Sequence, residues 1–242
     1  LSIRRQRQMC IRDRDNFLGA CMLLFSKNKA VISYVLTCFL ASCTSTTVDE
    51  FRQGETGIES DESVVILGRR QASDFETKSD FVECVGKGMS QGENAISVVP
   101  EREFVDAMFP WFEPRTAPLR ATDLEQLLAE DVVAQKMNEF GIRYMVWVEG
   151  FTETTGRTGS ISCTVGPGGG GCFGFGTWED DANFDARVWD VNPLRNVGTI
   201  NADATGQSYL PALVVPIPLI ARVETNACNR LAAQLKDFVN GE

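Results

Sequence analysis

Gly141 divides the chain into two regimes of hydrophobic spacing, and that division restricts the folds open to it. Before it, Leu124, Leu127, Leu128, Val132, Val133, Met137 and Phe140 recur at helical spacing behind the capping-box pattern Thr122-x-x-Glu125. Upstream, Val64–Leu67 and Ile96–Val99 are short apolar runs of strand character, and 74–89 and 101–109 carry helical spacing. Beyond Gly141 the spacing switches to two. Tyr144 to Phe151, Ser160 to Val165, Cys172 to Trp178, Phe184 to Val191 and Val197 to Thr205 read as strands, and Leu213 to Ile217 as a short closing one. Ala221 to Val239 returns to helical spacing. The expected order is β-α-β-α-α-β-β-β-β-β-β-α. It predicts one α/β (α+β) domain over 63–242, with a single mixed β-sheet and helices mainly on one face.

The 242 residues hold 23 Lys and Arg against 33 Asp and Glu, a net charge of −10, and no histidine. A strongly acidic chain is a poor partner for nucleic acid, which needs a basic face. Without histidine there is no Ser-His-Asp or Cys-His catalysis and no His-ligated metal.

Residues 1–21 are basic without apolar spacing and resemble translated adapter sequence foreign to the natural protein. Residues 22–42 read as a signal peptide: Lys27 and Lys29 precede an apolar run that ends in Leu40-Ala41-Ser42-Cys43. That ending resembles the lipobox of bacterial lipoproteins, in which the Cys is acylated by palmitate-type chains and becomes the mature N-terminus. The resemblance implies lipidation at Cys43. With Thr44 rather than Asp after it, it implies the outer membrane, with the domain facing the periplasm. Residues 43–62 are polar and predict a flexible tether. The segment before Cys43 holds seven of the basic residues and two of the acidic, so the remainder is more acidic still. Anionic headgroups repel such a surface, which leaves the lipid anchor as the expected membrane attachment.

Four cysteines follow Cys43. Cys163 and Cys172 flank a Gly-rich loop that closes easily, which predicts a disulfide between them. Cys84 and Cys228 remain, either as a second bridge or as two buried thiols. Without a Cys-x-x-Cys unit, no metal is expected.

No constellation selects a catalytic centre. Gly166–Gly171 lacks the Gly-Lys-Ser/Thr of a phosphate loop. Asp181-x-Asn183-x-Asp185 has the opening of a calcium loop, but Ala186 and Asn192 stand where Gly and Glu are needed. Glu149, Glu153, Glu179 and Asp190 are numerous enough for a carboxylate pair, yet their spacing picks out no two. No cofactor is expected. Aromatic side chains in Pro- and Gly-rich stretches (Trp111, Phe112, Phe173, Phe175 and Trp178) are the candidates for partner contact.

Val64–Gly68, the run Phe140-Gly-Ile-Arg-Tyr-Met-Val-Trp-Val-Glu-Gly and Ala186-Arg-Val-Trp-Asp-Val with Gly198 resemble the α/β domain of the curli secretion-channel lipoprotein family. Related domains occur in the Tol-system propeller protein, penicillin-binding-protein activators and polysaccharide-export lipoproteins. The resemblance implies a non-enzymatic envelope domain that assembles or regulates a secretion, export or wall-synthesis machine through protein contacts. The alternatives are a homo-oligomeric, ring-forming export subunit and a carboxylate-dependent glycan hydrolase.

Overall fold

The computed structural model describes residues 3–8, 44–70, 76–113 and 115–242. The proposed signal peptide and Cys43 lie outside the described residues. Among the described residues seven strands form one mixed sheet: β1 Ile3–Gln8, β2 Thr44–Arg52, β3 Ser63–Gly68, β4 Ser97–Val99, β5 Ile142–Gly166, β6 Gly169–Val191 and β7 Leu194–Pro216, in the order β1-β2-β7-β6-β5-β3-β4. β3 runs parallel to β4 and β5, and the other pairings are antiparallel. The helices are α1 Ser79–Met89, α2 Glu101–Ala107, α3 Ala121–Leu128, α4 Asp131–Glu139 and α5 Val223–Asn240.

The expectation of one α/β domain on a single mixed sheet holds, but the helices cover both faces rather than mainly one. Every residue of β3 is buried, and a strand buried on both sides needs cover on both. Val64 and Ile66 pack toward α1 and α5, with Phe81, Val85, Leu231, Leu235 and Phe238. Val65 and Leu67 pack toward α2, α3 and α4, with Phe104, Leu124, Val133 and Met137. The single helix expected from Thr122 is two, broken around Ala129 and Glu130. The six strands expected after Gly141 are three long ones of 25, 23 and 23 residues.

The tether expectation over 43–62 is also corrected. Residues 44–52 are a strand that pairs with β7 from Thr44↔Gly206 to Arg52↔Gly198. The polar composition concealed it because one apolar residue, Val48, and one hydrogen-bonded acid, Glu50, suffice to bury its inner face. Arg52 donates to Glu50 at 3.0 Å and lies 4.2 Å over the Phe238 ring, which ties β2 to α5.

The α1–α5 face is closely fitted. Cys84 and Cys228 are joined by a disulfide across it. A Cβ on Gly88 would come within 2.6 Å of the Ala232 Cβ, so α1 and α5 approach through a glycine. Phe81 on α1 stacks on Phe184 of β6 with centroids 3.6 Å apart. Both rings are buried, so Phe184→Ala leaves a cavity that the helices cannot close. We expect this substitution to cost about 3–5 kcal/mol, read as a lowered thermal midpoint against wild type.

Candidate functional site, a β-arm with a charge-free end

The long strands leave the body together. Among the described residues β3 pairs with β5 as far as Val148 and β2 with β7 as far as Gly206. Beyond those points the named strands beside β5, β6 and β7 are, among the described residues, one another: β5 pairs with β6 as far as Gly166↔Gly169 and β6 with β7 as far as Cys172↔Val214. They form a three-stranded arm. From Val148 to Gly166 it extends on the order of 60 Å, at about 3.3 Å per residue.

Its foot is held by Asp180. That carboxylate accepts hydrogen bonds from Thr154 Oγ1 at 2.6 Å, Trp178 Nε1 at 3.1 Å and Ser208 Oγ at 3.1 Å, one donor from each strand. Ser208 in turn accepts from the Ala221 N–H at 2.9 Å, which fixes the chain's re-entry to the body. Just beyond, the β5 register shifts between Thr155 and Thr158, and Gly156 takes φ 56°. The Thr158 and Thr177 hydroxyls meet at 2.8 Å across the next rung.

Past that rung, charge ends. Residues 158–178 and 204–221 contain no Asp, Glu, Lys or Arg. The pleat sends Phe173, Phe175, Leu213 and Tyr209 to one face in register with Ser162, Ser160 and Thr158. The other face carries Ile161, Ala212, Leu210 and the disulfide between Cys163 and Cys172, directly opposite each other. Apolar side chains are widely exposed here: Val165 is 92% exposed, Leu213 79% and Phe173 61%. Gly174 is needed where it stands. At φ 148°, a Cβ would come 2.2 Å from the Ser160 carbonyl oxygen. The outer edge of β7 is partly closed by a returning segment: Tyr209 and Leu219 exchange backbone hydrogen bonds at 2.8 and 2.7 Å, and Ile217 N–H donates to the Pro211 carbonyl at 3.0 Å.

The five aromatic candidates separate. Phe173 and Phe175 are exposed on the arm, and Trp178 is half-buried at its foot with its indole N–H committed to Asp180. Phe112 is corrected to a core residue, buried with its ring edge-on to Phe104 at 5.0 Å. Trp111 is half-buried beside the same cluster, with the Lys136 ammonium 5.4 Å from its ring. The spacing places Val165 and Leu213–Val215 in short strands, outside the five aromatic contact candidates. The absence of charge over two stretches that pair in the sheet was the available signal.

No two of the four candidate carboxylates, Glu149, Glu153, Glu179 and Asp190, stand opposite each other in the sheet. Asp190 is fully buried and bound by Arg143 at 3.0 Å and Arg195 at 3.3 Å. Glu149 accepts from Trp147 Nε1 at 2.8 Å and stands opposite Asp185. Glu153 lies opposite Asp181 further along β5, and Glu179 is exposed opposite Thr155. Asp181, Asn183 and Asp185 lie along the extended strand β6 and do not curl around a point. Among the described residues no group of three or more His, Cys, Asp or Glu is placed to hold a metal ion.

Burial pushes the Asp185 carboxyl above its usual range; Arg187 opposes the shift and Glu149 adds to it. The folded state therefore holds this proton more tightly than the unfolded chain. The resulting stability is present at acid pH and is lost as pH rises through the raised value. Asp185→Asn should raise the thermal midpoint at neutral pH and leave it nearly unchanged below the ordinary carboxylate range, as measured by melts across that window.

No family model matches the chain, and no curated protein matches it. Among solved structures, a PelC dodecamer from Paraburkholderia phytofirmans is 11% identical with a TM-score of 0.39, over 81% of this chain and 99% of that one. A PelC variant dodecamer from the same organism is 9% identical with a TM-score of 0.38, over 84% of this chain and 100% of that one.

Proposed function

We propose that this chain is a lipid-anchored, periplasm-facing, non-enzymatic domain of the outer membrane that assembles or regulates an envelope machine, and that the β-arm is its contact element. The single observation that carries the reading is the charge-free, apolar, exposed end of the arm on an otherwise acidic protein. A monomeric soluble domain rarely exposes a large contiguous apolar patch without a use for it.

The membrane is the surface this end fits best. The uncharged run of β5, Thr158–Gly166, supplies nine residues beyond the foot. A strand that crosses hydrocarbon needs about 9–11. Trp178 and Tyr209 stand at the border between the charged and uncharged parts, where amphipathic rings are favoured at a lipid surface. β2 begins at Thr44 beside Gly206, within the uncharged part of β7, so an acyl chain on Cys43 enters the membrane near the foot of the arm. Among the described residues no helix is long and apolar enough to cross a membrane.

One observation favours the second reading, a ring-forming export subunit. Beyond Val148 the outer edge of β5 has no strand beside it among the described residues. Unpaired backbone groups cost several kcal/mol each in hydrocarbon. Arms of neighbouring copies that pair edge to edge remove that cost.

Two measurements test the proposal. A fatty-acid probe should label the wild type in cells and not Cys43→Ser. In the Cys43→Ser background, the full chain should bind phosphatidylethanolamine–phosphatidylglycerol vesicles through the arm alone. Adding Phe173→Asp and Leu213→Asp should weaken that binding at least about tenfold, since each charge in hydrocarbon costs on the order of 2 kcal/mol. The thermal midpoint should stay within about 2 °C, because both sites are exposed. Undiminished binding by the double aspartate variant overturns the membrane-facing arm.

A further inference from the structure

The two disulfides of this protein sit in opposite environments. Cys228 is fully buried between α1 and α5, and Cys84 beside it is half-buried. Cys163 is exposed and Cys172 half-buried, near the far end of a ribbon open on both faces. On the β6 side the sulfurs are flanked by Gly170, Gly171 and Gly174, which offer no side chain to shield them.

The bridge also stands alone as a brace. Side-chain links across β5 and β6 are dense at the foot and stop, among the described residues, at the Thr158–Thr177 hydroxyl pair. Beyond it, this disulfide is the remaining covalent or polar side-chain link between the two strands. The run it closes is poor in intrinsic strand preference: seven of the eleven residues from Gly166 to Gly176 are glycine. Glycine has the most conformational freedom to regain when a strand frays. Thiol–disulfide exchange requires access to a sulfur; this bridge has one exposed cysteine, Cys163, whereas the other has none and its Cys228 is fully buried.

We propose that Cys163–Cys172 is an exchangeable disulfide through which a dithiol of the envelope sets the order of the arm's end. A thiolate of the dithiol attacks the Sγ of Cys163 or Cys172 and forms a mixed disulfide. The S–S bond breaks, and the other sulfur leaves as a thiolate and takes up a proton. The second thiol of the dithiol then displaces the remaining sulfur. The dithiol departs oxidised by two electrons, and the arm carries two thiols. Oxidised, the end is a braced ribbon ready to make contact. Reduced, it frays back to the Thr158–Thr177 rung while the body stays folded.

The functional meaning rests on the arm as contact element, but the chemistry is measured without any binding readout, so either can fail alone. The full chain is treated with dithiothreitol in the absence of denaturant, alkylated with iodoacetamide and mapped by mass spectrometry. Cys163 and Cys172 should take the label while Cys84 and Cys228 remain bridged. Amides of 158–178 should then exchange hydrogen at least about tenfold faster, with the body unchanged. Cys163→Ser with Cys172→Ser should reproduce the fast exchange without reductant. The proposal is overturned if both bridges open together, if Cys163–Cys172 outlasts Cys84–Cys228, or if the reduced arm exchanges as slowly as the oxidised one.

Discussion

The backbone ladder of β6 is the constraint on which the rest of the structure depends. β6 is paired from the core outward with β5 along one edge and β7 along the other, until the β7 pairing ends at Cys172↔Val214. The ladder runs on past one register shift on each side, and what its side chains meet changes along it. Near the core, Ala182, Phe184, Ala186 and Val188 pack under α1 and α5. At the foot, Asp180 draws one hydrogen-bond donor from each of the three strands. Beyond the foot, the same two-residue alternation presents Phe173 and Phe175 to the exterior. A helix could not make this transition, because its hydrogen bonds are internal and would not tie three segments into one projecting unit.

Charge divides along the same ladder. The acidic residues of β5 and β6, among them Glu149, Glu153, Glu179, Asp181 and Asp185, line the stretch from the body to the foot. None follows for the remainder of either strand's run toward the tip. Water does not reward such a surface, since large exposed apolar side chains gain about 1.5–3 kcal/mol each when covered. The division is useful only if the two parts meet different surroundings, which is the physical content of a membrane-directed arm.

Much of the body was legible in the sequence because its signals are local. Val64–Gly68 is an uninterrupted apolar run, and α5 carries Ala227, Cys228, Leu231, Leu235 and Phe238 on one side. The break between α3 and α4 was not legible, since Leu128 and Val133 keep helical spacing across it. β2 escaped because it buries a hydrogen-bonded glutamate in place of a second apolar residue. The arm's segments read as short strands, but its continuity escaped for a different reason. Glycine reads as loop when taken residue by residue, as 166–171 does. In the sheet, glycines such as Gly159 and Gly174 sit where the neighbouring strand's carbonyl leaves no room for a Cβ. Phe112 looked like a surface anchor because proline surrounds it, whereas its ring is held by Phe104 from α2.

The central claim is that the end of the arm is covered in the envelope while the body remains in water. A photo-crosslinking amino acid placed at Leu213 on the arm, and separately at Val132 on α4, tests it most directly, because both positions are exposed in the isolated chain. After irradiation of intact envelopes, Leu213 should give abundant adducts to lipid or to a neighbouring strand, and Val132 almost none. Equal, sparse labelling from both positions would contradict the account, because it would mean that the arm's end is surrounded by water like the rest of the surface.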